Sequence, residues 1–114
     1  MIRRGEVYNT LVETASQQQA LVLVVSYNAN NRSKLPTVHV LAVVPRQQDE
    51  ATELDVTFEL AGASFSVTPR TLAGMPKKDL SEGPVAALEA SLMRQVDALI
   101  ARYLALSPTA PKAS

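Results

Sequence analysis

One histidine and eleven Lys and Arg residues are the groups in this 114-residue chain suited to moving a proton or meeting an anion near neutral pH. The histidine, His39, stands inside an aliphatic run, and a histidine so placed is either a proton carrier or an ordinary surface or packing residue. A polar knot at residues 26–34 sets Asn28, Asn30 and Asn31 beside Arg32 and Lys34. Amides next to cations can grip phosphate oxygens or base edges. Asparagine also accepts left-handed backbone at little cost, so the same residues fit an exposed loop. Arg3 and Arg4 offer phosphate contacts or a solvated terminus, and Arg46 follows the aliphatic run.

The formal net charge is zero but unevenly spread. Residues up to Arg46 are mildly basic, whereas residues 47–60 hold Asp49, Glu50, Glu53, Asp55 and Glu59 with no base. Cysteine is absent, which removes disulfides, thiolate zinc sites and thiol nucleophiles. Aromatics are only 4% of the chain, a composition that argues against a broad aromatic platform for bases. No apolar run approaches the roughly 20 residues of a membrane span, and the expectation is a soluble, unexported, cytoplasmic protein.

The elements that would carry these groups are mostly strands. Residues 21–25 form an unbroken run of β-formers and residues 35–44 alternate weakly, so both read as buried strands around which the rest packs. Residues 5–8 read as a first strand, with 9–19 a loop or hairpin tip. Pro36 precedes the third strand and Pro45 stops it. Residues 54–60 alternate apolar and polar, turn at 61–63, and alternate again over 64–68, the pattern of an antiparallel hairpin. Residues 69–79 read as irregular. Pro84 marks a helix start, and Leu88, Leu92, Val96, Leu99, Tyr103 and Leu106 form an apolar stripe at helical spacing. One domain over residues 1–106 and a flexible tail at 107–114 are expected.

In this order Arg4-Gly5-Glu6-Val7-Tyr8, Leu23-Val24-Val25-Ser26, Asn31-Arg32-Ser33, Pro36-Thr37-Val38 with Val40, Arg70-Thr71, Pro76-Lys77-Lys78 with Leu80, and Val96-Asp97-Ala98-Leu99 resemble the MazF/PemK (Kid-like) family of toxin–antitoxin ribonucleases. The resemblance covers nearly the whole chain. It implies a mainly β (α+β) fold, a small, strongly bent, antiparallel SH3-like β-barrel of the MazF/PemK/CcdB type with a C-terminal helix. It also implies a homodimer and a cognate antitoxin lying across the dimer's RNA site. The family's helix begins near Ser91, which leaves residues 84–90 free to be a turn or strand instead.

Members of the family cut single-stranded mRNA without a metal or cofactor, using the RNA's own 2′-hydroxyl. That reaction needs a proton-moving group and a donor or cation for the charged phosphorane. The family's Arg falls on Ala20 and its Thr on Val44. The acidic-amide pair of the preceding loop has no counterpart, and Thr68 replaces the amide before the Arg-Thr match. Alanine and valine neither donate a hydrogen bond nor carry charge, so the implied reading is a toxin-family protein that binds RNA or antitoxin with cleavage weakened or lost. Arg46, Arg70 and His39 are the possible substitutes for an active enzyme. Asn28, Asn31, Arg32 and Arg70 are the residues implied to bind RNA, although Arg70 also suits a pair with a carboxylate. A CcdB-like gyrase-binding protein is a further alternative within the same fold.

Overall fold

The structure is a computed structural model that describes residues 2–10, 21–45 and 55–104. Its strands are β1 (Glu6–Asn9), β2 (Leu21–Val24), β3 (Thr37–Pro45), β4 (Val56–Leu60), β5 (Ala63–Val67), β6 (Ala73–Pro76) and β7 (Ala86–Ala87). Among the described residues two α-helices join them, α1 (Asn28–Arg32) and α2 (Ala90–Tyr103). The strands pair antiparallel in the order β4-β5-β3-β2-β1-β7, with β6 also on β3, and curl into a near-closed barrel.

β3 is the organising strand. Val40 to Val43 lie opposite Val24 to Leu21, Thr37 to Val40 opposite Pro76 to Ala73, and its last residues Val44 and Pro45 opposite Ser66 and Phe65. One strand thus hands over between partners, which bends the sheet into a barrel. The unbroken aliphatic run of β2 and the weak alternation of β3 follow from burial on both faces. Val7, Leu23, Leu41 and Val43 face a core shared with Val56, Phe58, Val67, Met93, Val96 and Leu99. The alternate residues Tyr8, Val22, Val24, Val38 and Val40 face a second cluster closed by Leu80. β4, by contrast, buries Val56 and Phe58 while Glu59 stays exposed, as its alternation requires.

Three expectations are corrected and one open alternative is decided. Residues 26–34 are not simply an exposed loop, because residues 28–32 form α1 and Asn31 is only 4% exposed. Within the segment read as irregular, residues 73–76 form β6, whose ladder to β3 overrides its glycine and proline content. Of the two helix starts the sequence left open, Pro84 and near Ser91, the structure has the later one. Ala86 and Ala87 pair with Val7 and Glu6, flanked by Val85 N–H to Val7 O and Leu88 N–H to Gly5 O, both 2.8 Å, and α2 begins only after that ladder ends. Along α2 the stripe buries Val96 and Leu99, but Tyr103 is 52% exposed and Met93 takes the place the stripe omitted.

Two local conformations make the fold possible. Gly5 has φ +93 and lies under Met93, whose Cγ would be 3.4 Å from an added Cβ, so a side chain there is strained as well as crowded. The β4–β5 turn is the two-residue loop Ala61-Gly62 with φ 51 and 82, the primed geometry that suits the right-handed twist of a hairpin. The tail expected at 107–114 lies outside the described residues.

Candidate functional site

The corner between β2 and β3 is built by amides. The Asn31 Nδ2 group donates to Ser26 O at 2.9 Å, and Asn31 Oδ1 accepts from the Ser26 hydroxyl. Ser26 Oγ in turn accepts the His39 backbone N–H at 3.2 Å. Asn28 Oδ1 accepts the Arg4 backbone N–H at 2.7 Å, and Asn30 Nδ2 donates to Thr37 O at 3.3 Å. Lys77 Nζ closes the corner by donating to Ser33 O at 2.7 Å. A buried amide left without partners would cost more than its bonds return, so this network locks α1 in place. Of the residues implied to bind RNA, Asn28 and Asn31 therefore serve the corner's own bonding, while Arg32 is exposed.

Next to this corner lies an open cleft of about 420 Å³, lined by Arg4, Tyr27, Asn30 and His39 with Leu72 and Ile100 among its apolar walls. Arg4 forms its charged floor. Its Nε donates to Val25 O at 3.0 Å and its Nη2 pairs with Asp97 on α2. Tyr27, at 75% exposed, stands on the rim. His39 is exposed on β3 and reaches the cleft from the face that also bears Leu41 and Val43.

The second locus is the opposite end of β2 and β3. Leu21 pairs with Val43, so the start of β2 and the end of β3 meet there. Val44, 38% exposed, offers that end a hydrocarbon surface. Being an odd number of residues from His39, it faces the other side of the sheet, and the two are about 16 Å apart along the strand. Ala20 and Arg46 lie outside the described residues, although β3 pairing runs through Pro45, directly before Arg46.

Arg70 sits exposed in a 3-10 turn at Pro69–Thr71, with no ion-pair partner among the described residues. Thr71 fixes that turn to β3, its Oγ1 accepting Ala42 N–H at 3.1 Å and donating to Thr68 O at 2.8 Å. The chemistry available at this end is a cation able to meet a phosphate, without a hydroxyl at position 44.

Sequence reasoning offered Arg46 or Arg70 with His39 as substitute groups; Arg46 lies outside the described residues, and strand parity turns His39 to the face opposite Val44. The same reasoning missed the Arg4–Asp97 pair and Tyr27. The signal for the pair was present, since both residues fall in segments that carry the family resemblance.

No protein-family model matches the sequence, and no curated protein does. Solved structures are similar over nearly the full chain. An endoribonuclease in complex with its cognate antitoxin from a mycobacterial species has 21% identity and TM-score 0.72, covering 93% of this chain and 95% of that one. A further mycobacterial endoribonuclease has 20% identity and TM-score 0.73, with 92% of each chain covered. The MazE–MazF complex of Deinococcus radiodurans contains a chain with 17% identity and TM-score 0.74, covering 93% and 97%. The barrel, its strand order and its closing helix thus give this chain the fold of the MazF-type endoribonucleases.

Proposed function

We propose that this protein is a MazF/PemK-like member of a toxin–antitoxin system that binds single-stranded RNA and a cognate antitoxin, with its endoribonuclease activity weakened or lost. The observation that supports the loss is Val44, exposed at the end of β3, where the family resemblance implies a donor and the side chain is a hydrocarbon. The likeness to an endoribonuclease bound to its antitoxin supports the partner. The reading takes the protein to be a cytoplasmic homodimer, and among the described residues no helix is long and apolar enough to cross a membrane. Arg32 and Arg70, both exposed, are the cations assigned to phosphates, with Asn28 and Asn31 shaping the corner that presents Arg32.

A second reading is an active metal-independent enzyme with relocated groups. It is favoured by Arg70, which is unpaired among the described residues and sits on a turn tied to β3 near the Val44 end. Both readings meet in one assay, cleavage of mixed-sequence RNA in EDTA with a binding titration of the same RNA. Binding without cutting is expected, together with a gain of cleavage of about a hundredfold in an Ala20→Arg, Val44→Thr double variant. Site-specific cutting by the parent protein, abolished by Arg70→Ala or Arg46→Ala, would replace the first reading with the second.

A further inference from the structure

We infer that the cleft beside α1 is a base-binding subsite for single-stranded RNA, with Tyr27 and His39 as its ring surfaces, separate from the Val44 end of the sheet. The inference rests on the RNA-binding reading and adds to it a second point of attachment. The whole chain is poor in aromatics, yet this one cleft gathers a tyrosine and the sole histidine. Tyr27 is 75% exposed, and the His39 ring has no hydrogen-bond partner among the described residues. Neither ring is used to hold the fold. The network of Asn28, Asn31 and Ser26 instead holds the backbone on both sides of Tyr27, so the ring is presented on a rigid corner.

Charge favours a polyanion as the occupant. Arg3, Arg32 and Lys34 are exposed around the corner, whereas two carboxylates near it among the described residues, Asp97 and Glu6, are engaged. Asp97 pairs with Arg4, and Glu6 accepts the Arg3 backbone N–H at 2.7 Å and the Tyr8 hydroxyl at 2.8 Å. A flanking positive field with exposed rings and apolar walls of Val25, Leu72 and Ile100 is the combination that seats an unstacked base while its backbone follows the cations. About 420 Å³ accommodates one base with its sugar, not a folded RNA element.

The test is a binding titration of the full chain with a mixed-sequence single-stranded RNA in EDTA, using the parent, Tyr27→Ala, Tyr27→Phe and Arg32→Ala. In parallel, the His39 ring resonances are followed by NMR, where a single histidine leaves no ambiguity. Tyr27→Ala should weaken binding roughly five- to a hundredfold without changing its salt dependence, and Tyr27→Phe should restore it. Arg32→Ala should lower the salt slope instead. RNA should shift the His39 ring in the parent.

Failure of the parent to bind RNA overturns both this inference and the reading beneath it. Parent binding that Tyr27→Ala leaves intact, with an unmoved His39 ring, overturns the subsite alone. A His39 shift caused by an antitoxin peptide and not by RNA also overturns it, assigning the cleft to a protein partner.

Discussion

Arg4 and Asp97 tie the first residues of the chain to the last helix. The Arg4 guanidinium pairs with the Asp97 carboxylate while its Nε donates to Val25 O at the end of β2, so one side chain links three parts of the fold. The Asp97 side chain is 45% exposed, and solvent screening keeps the ionic part small. Asp97→Asn should therefore cost under about 1 kcal/mol in urea unfolding. Arg4→Ala should cost about 1–2 kcal/mol, because it also strips a partner from the Val25 carbonyl.

Asn31 is the buried centre of the α1 corner, and its replacement should act on stability first. Asn31→Ala removes the acceptor of the Ser26 hydroxyl and the donor to Ser26 O, and should destabilise by about 2 kcal/mol. Thermal unfolding followed by circular dichroism checks it. Arg32→Ala, at an exposed position of the same helix, should stay within about 0.5 kcal/mol.

Tyr8 gives the fold an alkaline limit. Burial, then its hydrogen bond to Glu6 and the charge of that carboxylate, push its hydroxyl well above the ordinary value of about 10. The folded protein holds the proton more tightly than the unfolded chain, so this stabilisation is complete below pH about 10 and is lost as pH rises beyond it. Unfolding midpoints measured from pH 8 to 12 should fall above about pH 10, and less steeply in Tyr8→Phe.

Ala61 occupies left-handed backbone in the β4–β5 turn with no special chemistry to suit it. Asparagine tolerates that conformation and is favoured at the first position of such a turn. Ala61→Asn should stabilise by about 0.5–1 kcal/mol in urea unfolding, and Gly62→Ala, at φ 82, should destabilise by a comparable amount.

The strands with strong patterns were legible from residues alone. Val56, Phe58 and their alternate neighbours announced one buried face, and the unbroken run of β2 with the weakly alternating β3 announced two. That Val44 offers no hydrogen-bond donor follows from its residue type alone, whereas its exposure at the end of β3 is a property of the fold. Periodicity failed where a ladder outweighed local preference, as at Ala86 and Ala87. Those alanines read as helix until β1 is beside them to supply the hydrogen bonds.

Composition, strand pattern and the chemistry available at each position belong to the sequence by itself, because they depend on residue type and spacing. Which groups share a site was decided only by tertiary structure. Strand parity sends His39 and Val44 to opposite faces, and barrel closure brings Arg4 to Asp97 across the chain. Asn31 turns inward because buried backbone must find partners, and that demand, invisible in the order of residues, fixes the corner on which Tyr27 stands exposed at the rim of the cleft.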